Sequence, residues 1–159
     1  KTMSLAFSKE SQARIDNALA ESLNPQAALL PVLYVAQEEF GHLSKEALQL
    51  VATRLNLSYQ HVESTASFYT MFKREPVGRY HIQVCRTLSC AMLGAPSLTA
   101  HLSAKLGIKP GEVTADGKFS LEEVECLALC GSGPAVQINK TNYERVTPEA
   151  LDRLLDSLN

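Results

Sequence analysis

The residues best suited to chemistry are four cysteines, Cys85, Cys90, Cys126 and Cys130, spaced as C-x4-C, then 35 residues, then C-x3-C. The chain opens on acids in a helical pattern rather than on a secretory apolar stretch. Clustered thiols in such a chain read as metal ligands or redox groups before disulfides. Zinc ribbons favour C-x2-C pairs and fit the wider C-x4-C poorly. Plant-type ferredoxins do open with C-x4-C, although their third cysteine follows at once. Spacing therefore leaves three readings open, in this order: a [2Fe–2S] cluster, a zinc ion in a non-redox interaction module, and thiols or disulfides. Four thiolates already complete a cluster, so His81 and His101 are read as non-ligands. His42 and His61 are read as surface or capping residues. No acid/base pair, nucleophile or Gly-rich nucleotide loop accompanies the cysteines, so no catalytic residue is assigned.

Such a site needs elements that bring both pairs together. The pattern predicts a strand over 79–84, bounded by Pro76-Val77-Gly78, that delivers Cys85. After Cys90 comes a helix with Leu98, Leu102 and Leu106, closed by Gly107. A second strand over 118–124 delivers Cys126. Strands over 135–139 and 142–146 are joined by a turn at Lys140-Thr141. Thr147-Pro148-Glu149 starts a last helix that buries Leu151, Leu154, Leu155 and Leu158. The order β-α-β-β-α resembles a reduced thioredoxin fold without its C-x-x-C. Both cysteine pairs fall in loops after strands, at one edge of one sheet.

The first half reads as four amphipathic helices and holds no cysteine. Ser8 caps the first, with the stripe Ile15, Ala18, Leu19 and Leu23. Pro25 opens the second, which runs to Phe40 and is expected to kink at Pro31. Ser44 and Ser58 cap the third and fourth. Short loops imply a small bundle. Its dense aromatic segment, Phe68, Tyr69, Met71 and Phe72, is divided between core packing and docking to another subunit. The expected organisation is α+β: a helical bundle over 1–76 that docks a partner, then a thioredoxin-like α/β domain over 77–159.

Charge narrows the partners. Fifteen Lys and Arg against 17 Asp and Glu give a net charge of −2, so there is no basic surplus for phosphate contacts and nucleic acid is not an expected partner. Apolar runs of only a few residues exclude a membrane-spanning segment.

Several stretches are similar to a known family: Ala66-Ser67-Phe68-Tyr69, the run from Val77 to Cys85, Leu106-Gly107-Ile108, and Val124-Glu125-Cys126-Leu127 followed by Cys130 and Pro134. With Val136-Gln137-Ile138-Asn139, they resemble the NuoE family, the thioredoxin-like [2Fe–2S] subunit of the NADH-dehydrogenase module of respiratory complex I. The resemblance covers nearly the whole chain. It implies that Cys85, Cys90, Cys126 and Cys130 bind a [2Fe–2S] cluster, and that the chain works as a subunit of NADH:quinone oxidoreductase. It further implies a NuoF-type flavoprotein partner that binds NADH and FMN and exchanges single electrons with this chain. The implied place is the peripheral arm of complex I, on the cytoplasmic side of the inner membrane, or the matrix side in mitochondria, without membrane insertion. The same module serves NAD-dependent formate dehydrogenases and bidirectional hydrogenases, which are the alternative assemblies. This chain departs from the family at Ala128-Leu129, where Gly-Ala is common, at Gly133, where Ala is common, and at Ala91-Met92-Leu93, where a basic segment is common.

Overall fold

The computed structural model describes residues 5–158. The chain divides into two compact units, Lys1–Pro76 and Val77–Asn159. Among the described residues no helix is long and apolar enough to cross a membrane.

The first unit contains α1 (Lys9–Glu21), α2 (Leu29–Phe40), α3 (Lys45–Leu55) and α4 (Tyr59–Phe68). Ser8, Ser44 and Ser58 cap α1, α3 and α4; each hydroxyl accepts from the backbone N–H three residues on, which satisfies a donor the helix leaves unpaired. Ile15, Val32, Leu33, Val51 and Val62 form the buried centre. Two expectations need correcting. Helix α2 starts at Leu29, not Pro25, because the Asn24 side chain accepts from Ala27 N–H at 2.9 Å and its carbonyl accepts from Ala27 and Ala28, holding 25–28 in turns. Pro31 thus lies in the first helical turn, where a missing N–H forfeits no bond and a mid-helix kink has no cause. Helix α1 ends at Glu21, so Leu23 falls beyond it and is 99% exposed. The aromatic segment divides: Phe72 is buried, with ring centroids 5.1 Å from Tyr34 and 6.4 Å from Tyr69, whereas Phe68 and Met71 are exposed.

The second unit is a four-stranded sheet in the order β2-β1-β3-β4, with β1 (Tyr80–Cys85), β2 (Phe119–Val124), β3 (Val136–Ile138) and β4 (Thr141–Tyr143). Strands β1 and β2 are parallel; β3 and β4 are antiparallel additions. A short helix, α5 (Leu88–Met92), precedes α6 (Ala95–Leu106), and α7 (Pro148–Ser157) ends the fold. Ile82 and Val84 are buried from one face of β1, in one core with Leu98 and Leu102 of α6 and Leu151 and Leu155 of α7. The opposite face is polar. His81 Nδ1 lies 2.7 Å from Ser120 Oγ, its Nε2 lies 2.9 Å from Glu122 Oε2, and Gln83 Nε2 donates to the same oxygen at 3.2 Å. Gly78 permits the close start of β1 against β2, since a Cβ there would stand 2.3 Å from the Phe119 carbonyl carbon. The β3–β4 turn falls one residue earlier than expected. Asn139 adopts φ 55°, a left-handed conformation asparagine tolerates; its side chain accepts from His81 N–H and donates to the Arg79 carbonyl.

Candidate metal centre

Cys85 ends β1, Cys90 lies in α5, Cys126 follows β2 by two residues, and Cys130 begins a one-turn 3₁₀ helix, Cys130–Ser132. Parallel pairing sets Cys85 opposite Val124, so both chain segments leave the sheet at the same end. Cys85 and Cys90 are buried; Cys126 and Cys130 are exposed. By sequence the thiols form two pairs, Cys85 with Cys90 and Cys126 with Cys130, and the sulfurs of the second pair are 3.5 Å apart. Among the described residues no group of three or more His, Cys, Asp or Glu side chains is set to hold a metal ion by itself. Four cysteine thiolates are the ligand complement of a two-iron cluster.

The electrostatics follow the pairs. Burial pushes the Cys85 thiol up, but hydrogen bonds from the Thr87 side chain, the Leu127 and Thr87 N–H groups and Cys90 outweigh it, leaving its pKa below that of an ordinary thiol. Burial raises Cys90 against an opposing Ala135 N–H, and the bond to Cys85 with the charges on Cys85 and Cys130 adds to the rise. In the second pair, the Ala128 N–H, 3.3 Å from Cys126 Sγ, lowers Cys126, as does Cys130. Cys130 is raised, first by its hydrogen bond to Cys126 and then by the charge there. Each pair thus holds one readily ionised thiol and one reluctant one. Charge on Cys85 pushes up Cys90, Cys126 and Cys130 alike. The donors to these sulfurs come from the loops that follow β1 and β2, where hydrogen bonds to sulfur tune such a site.

Other residues fall into place around the thiols. His81 is turned to Ser120 and Glu122, and His101 Nε2 to Asp152 at 2.8 Å. His42 and His61 belong to the helical unit. Arg86 is exposed and paired with Glu125 through Nε at 3.0 Å. Sequence reasoning passed over Thr87: it precedes α5 in the N-cap position yet makes no cap bond, because its hydroxyl lies 3.2 Å from Cys85 Sγ. A threonine two residues after a thiol was the available signal. Ala128 has φ 62°, left-handed backbone that penalises a Cβ. Ala128→Gly is therefore expected to stabilise the unit by about 1 kcal/mol, the left-handed penalty less glycine's added chain entropy. A melting temperature that stays level or falls would show that the loop carries no such strain.

A parallel βαβ sheet with an antiparallel hairpin, and four cysteines in or just after the segments that leave one end of β1 and β2, has the architecture of a small thioredoxin-like iron–sulfur protein. The model of the thioredoxin-like [2Fe-2S] ferredoxin family matches residues 15–159. The chain belongs to that family, and its cofactor is a [2Fe–2S] cluster. It is 40% identical over 143 residues to an E-type NADH-quinone oxidoreductase subunit of Rhizobium meliloti, covering 90% of this chain and 85% of that protein. It is 42% identical over 134 residues to NADH-quinone oxidoreductase subunit 2 of Thermus thermophilus, covering 84% and 74%. Among solved structures, an NAD+-reducing [NiFe]-hydrogenase in the air-oxidised state superposes with a TM-score of 0.72 at 30% identity, over 82% of this chain. The chain spans only 22% of that hydrogenase chain.

Proposed function

We propose that Cys85, Cys90, Cys126 and Cys130 are the cluster's ligands and that the chain is the electron-transfer subunit of an NADH:quinone oxidoreductase. The cluster supplies one-electron chemistry; the protein's part is to hold it, shield it and present it to a partner. The observation that carries this reading is that the Cys85 and Cys126 segments leave the sheet at the same end, with the Cys126 and Cys130 sulfurs 3.5 Å apart, in a chain similar over most of its length to NADH-quinone oxidoreductase subunits. The partner is a flavoprotein subunit that binds NADH and FMN, within the peripheral arm on the cytoplasmic side of the membrane or the matrix side in mitochondria. The likeness to the NAD+-reducing hydrogenase favours a second reading, the corresponding subunit of such an enzyme. Affinity purification from the native organism tests both: co-purification with quinone-reductase subunits supports the first, and with hydrogenase subunits the second.

Exposed apolar residues indicate where a partner would sit. Leu88, Met92 and Leu93 stand out of the cysteine-bearing segment of the second unit, while the first unit exposes Phe68 and Met71. Large apolar side chains of this kind are enriched at interface cores. The paired change Phe68→Ser and Met71→Ser is expected to weaken flavoprotein binding at least about tenfold, corresponding to about 1.4 kcal/mol. Iron and sulfide content should not change. Unaltered affinity, measured by calorimetry with the purified flavoprotein, would exclude this face from the contact.

A further inference from the structure

Four helices of this chain open on a hydroxyl that caps them: Ser8, Ser44, Ser58 and Thr147 each accept from the backbone N–H three residues on. Thr87 holds the corresponding place ahead of α5, in the same extended backbone, with φ −74° and ψ 165°. Its carbonyl does what the position requires and accepts from Ala91 N–H at 2.9 Å. Its hydroxyl does not. That group makes no cap bond and lies 3.2 Å from Cys85 Sγ. A threonine that leaves the helix uncapped in favour of a sulfur forgoes a stabilising contact. The sulfur it reaches belongs to a residue only 1% exposed, so bulk water has little access there.

We propose that the Thr87 hydroxyl donates a hydrogen bond to Cys85 Sγ that raises the cluster's reduction potential. This rests on the reading that Cys85 is a ligand. An iron-bound thiolate carries no proton, so of these two atoms only the hydroxyl oxygen can be the donor. One-electron reduction adds negative charge that the ligand sulfurs share, and a hydrogen bond strengthens as its acceptor becomes more negative. The reduced state therefore gains more from the bond than the oxidised state does. Low local dielectric around a buried sulfur enlarges that difference. No covalent bond forms or breaks, and the proton stays on Oγ1. Thr87 acts through Cys85 and is a positioning residue.

The test is a potentiometric titration of the cluster-loaded full chain, followed by absorption, for Thr87→Val and Thr87→Ser. Valine keeps the branched shape and the backbone N–H but removes the hydroxyl; serine keeps the hydroxyl and removes the methyl. Thr87→Val is expected to reduce the equilibrium constant for one-electron reduction about tenfold, a fall of about 59 mV. Thr87→Ser should stay close to the parent potential. An unmoved or raised potential in Thr87→Val would overturn the proposal. So would an equal fall in both variants, which would assign the effect to packing of the methyl group. If Thr87→Val does not load a cluster, Thr87→Ala is judged by the same criterion. Cys85→Ala separates the two levels of argument. Full iron and sulfide in that variant would remove Cys85 from the ligand set, whereas loss of the cluster there with an unmoved potential in Thr87→Val would refute the role of Thr87 only.

Discussion

Alanine at Cys85, Cys90, Cys126 or Cys130 is expected to cost the chain most of its iron and labile sulfide, together with the visible absorption they produce. Each change removes one of the four proposed thiolates, and the two histidines of this unit are engaged elsewhere: His81 is committed to Ser120 and Glu122, and His101 to Asp152. The loss should be most complete at Cys85 and Cys90, which are buried and fixed by β1 and α5. Serine offers a harder oxygen donor that suits iron–sulfur chemistry less well. It is expected to retain a weakened cluster at 126 and 130, on exposed loop, and least at 85 and 90. The unit's own core, with Ile82, Val84, Leu98, Leu102 and Leu151 buried, should keep the alanine variants folded. Far-UV circular dichroism then distinguishes cluster loss from unfolding. Four single variants that each retain full iron and sulfide would refute the ligand set. Stoichiometric zinc in a colourless parent protein would replace the cluster with a structural ion.

The readable parts of this molecule were those set by local chemistry. Ser8, Ser44, Ser58 and Thr147 were recognisable as caps because a hydroxyl ahead of an apolar stripe has one obvious use. The thiols were visible because their type and spacing allow few chemistries. Misreadings arose where two uses of one residue compete. Pro25 and Pro31 both suit a first helical turn, and it was the Asn24 side chain, folding back on Ala27, that decided for the later start. Lys140-Thr141 looked like the hairpin turn, but Asn139 takes the left-handed position because its side chain is also anchored to β1 at His81 and Arg79. Helix α5 is five residues long, too short to show a period. The meanings of Ala128 and Gly133 were not legible at all. One is a Cβ where backbone handedness disfavours it, the other a missing Cβ where backbone conformation permits one. Only the folded chain shows that the first holds its N–H on Cys126 Sγ and the second faces Cys90 Sγ.

NADH should leave the isolated, cluster-loaded chain oxidised and should reduce it once the FMN-containing flavoprotein is added. The first half of this expectation concerns binding. A dinucleotide needs a glycine-rich loop that opens a helix, so that N–H groups and the helix dipole meet the pyrophosphate. The chain has no G-x-G-x-x-G. Its Gly131-Ser132-Gly133 follows the start of a single 3₁₀ turn and leads into β3 rather than a helix. The second half concerns electron count. NADH gives up a hydride, two electrons at once, whereas a [2Fe–2S] site held by thiolates takes one. Between them must stand a flavin, able to accept two and release them singly. Dithionite, a one-electron reductant, is expected to bleach the isolated chain without help. With the partner present, NADH should bleach it too, to an extent fixed by the potential. Rapid bleaching of the flavin-free chain by NADH alone would require both a nucleotide site and a two-electron acceptor within this chain, and the four thiols at the end of the sheet provide neither.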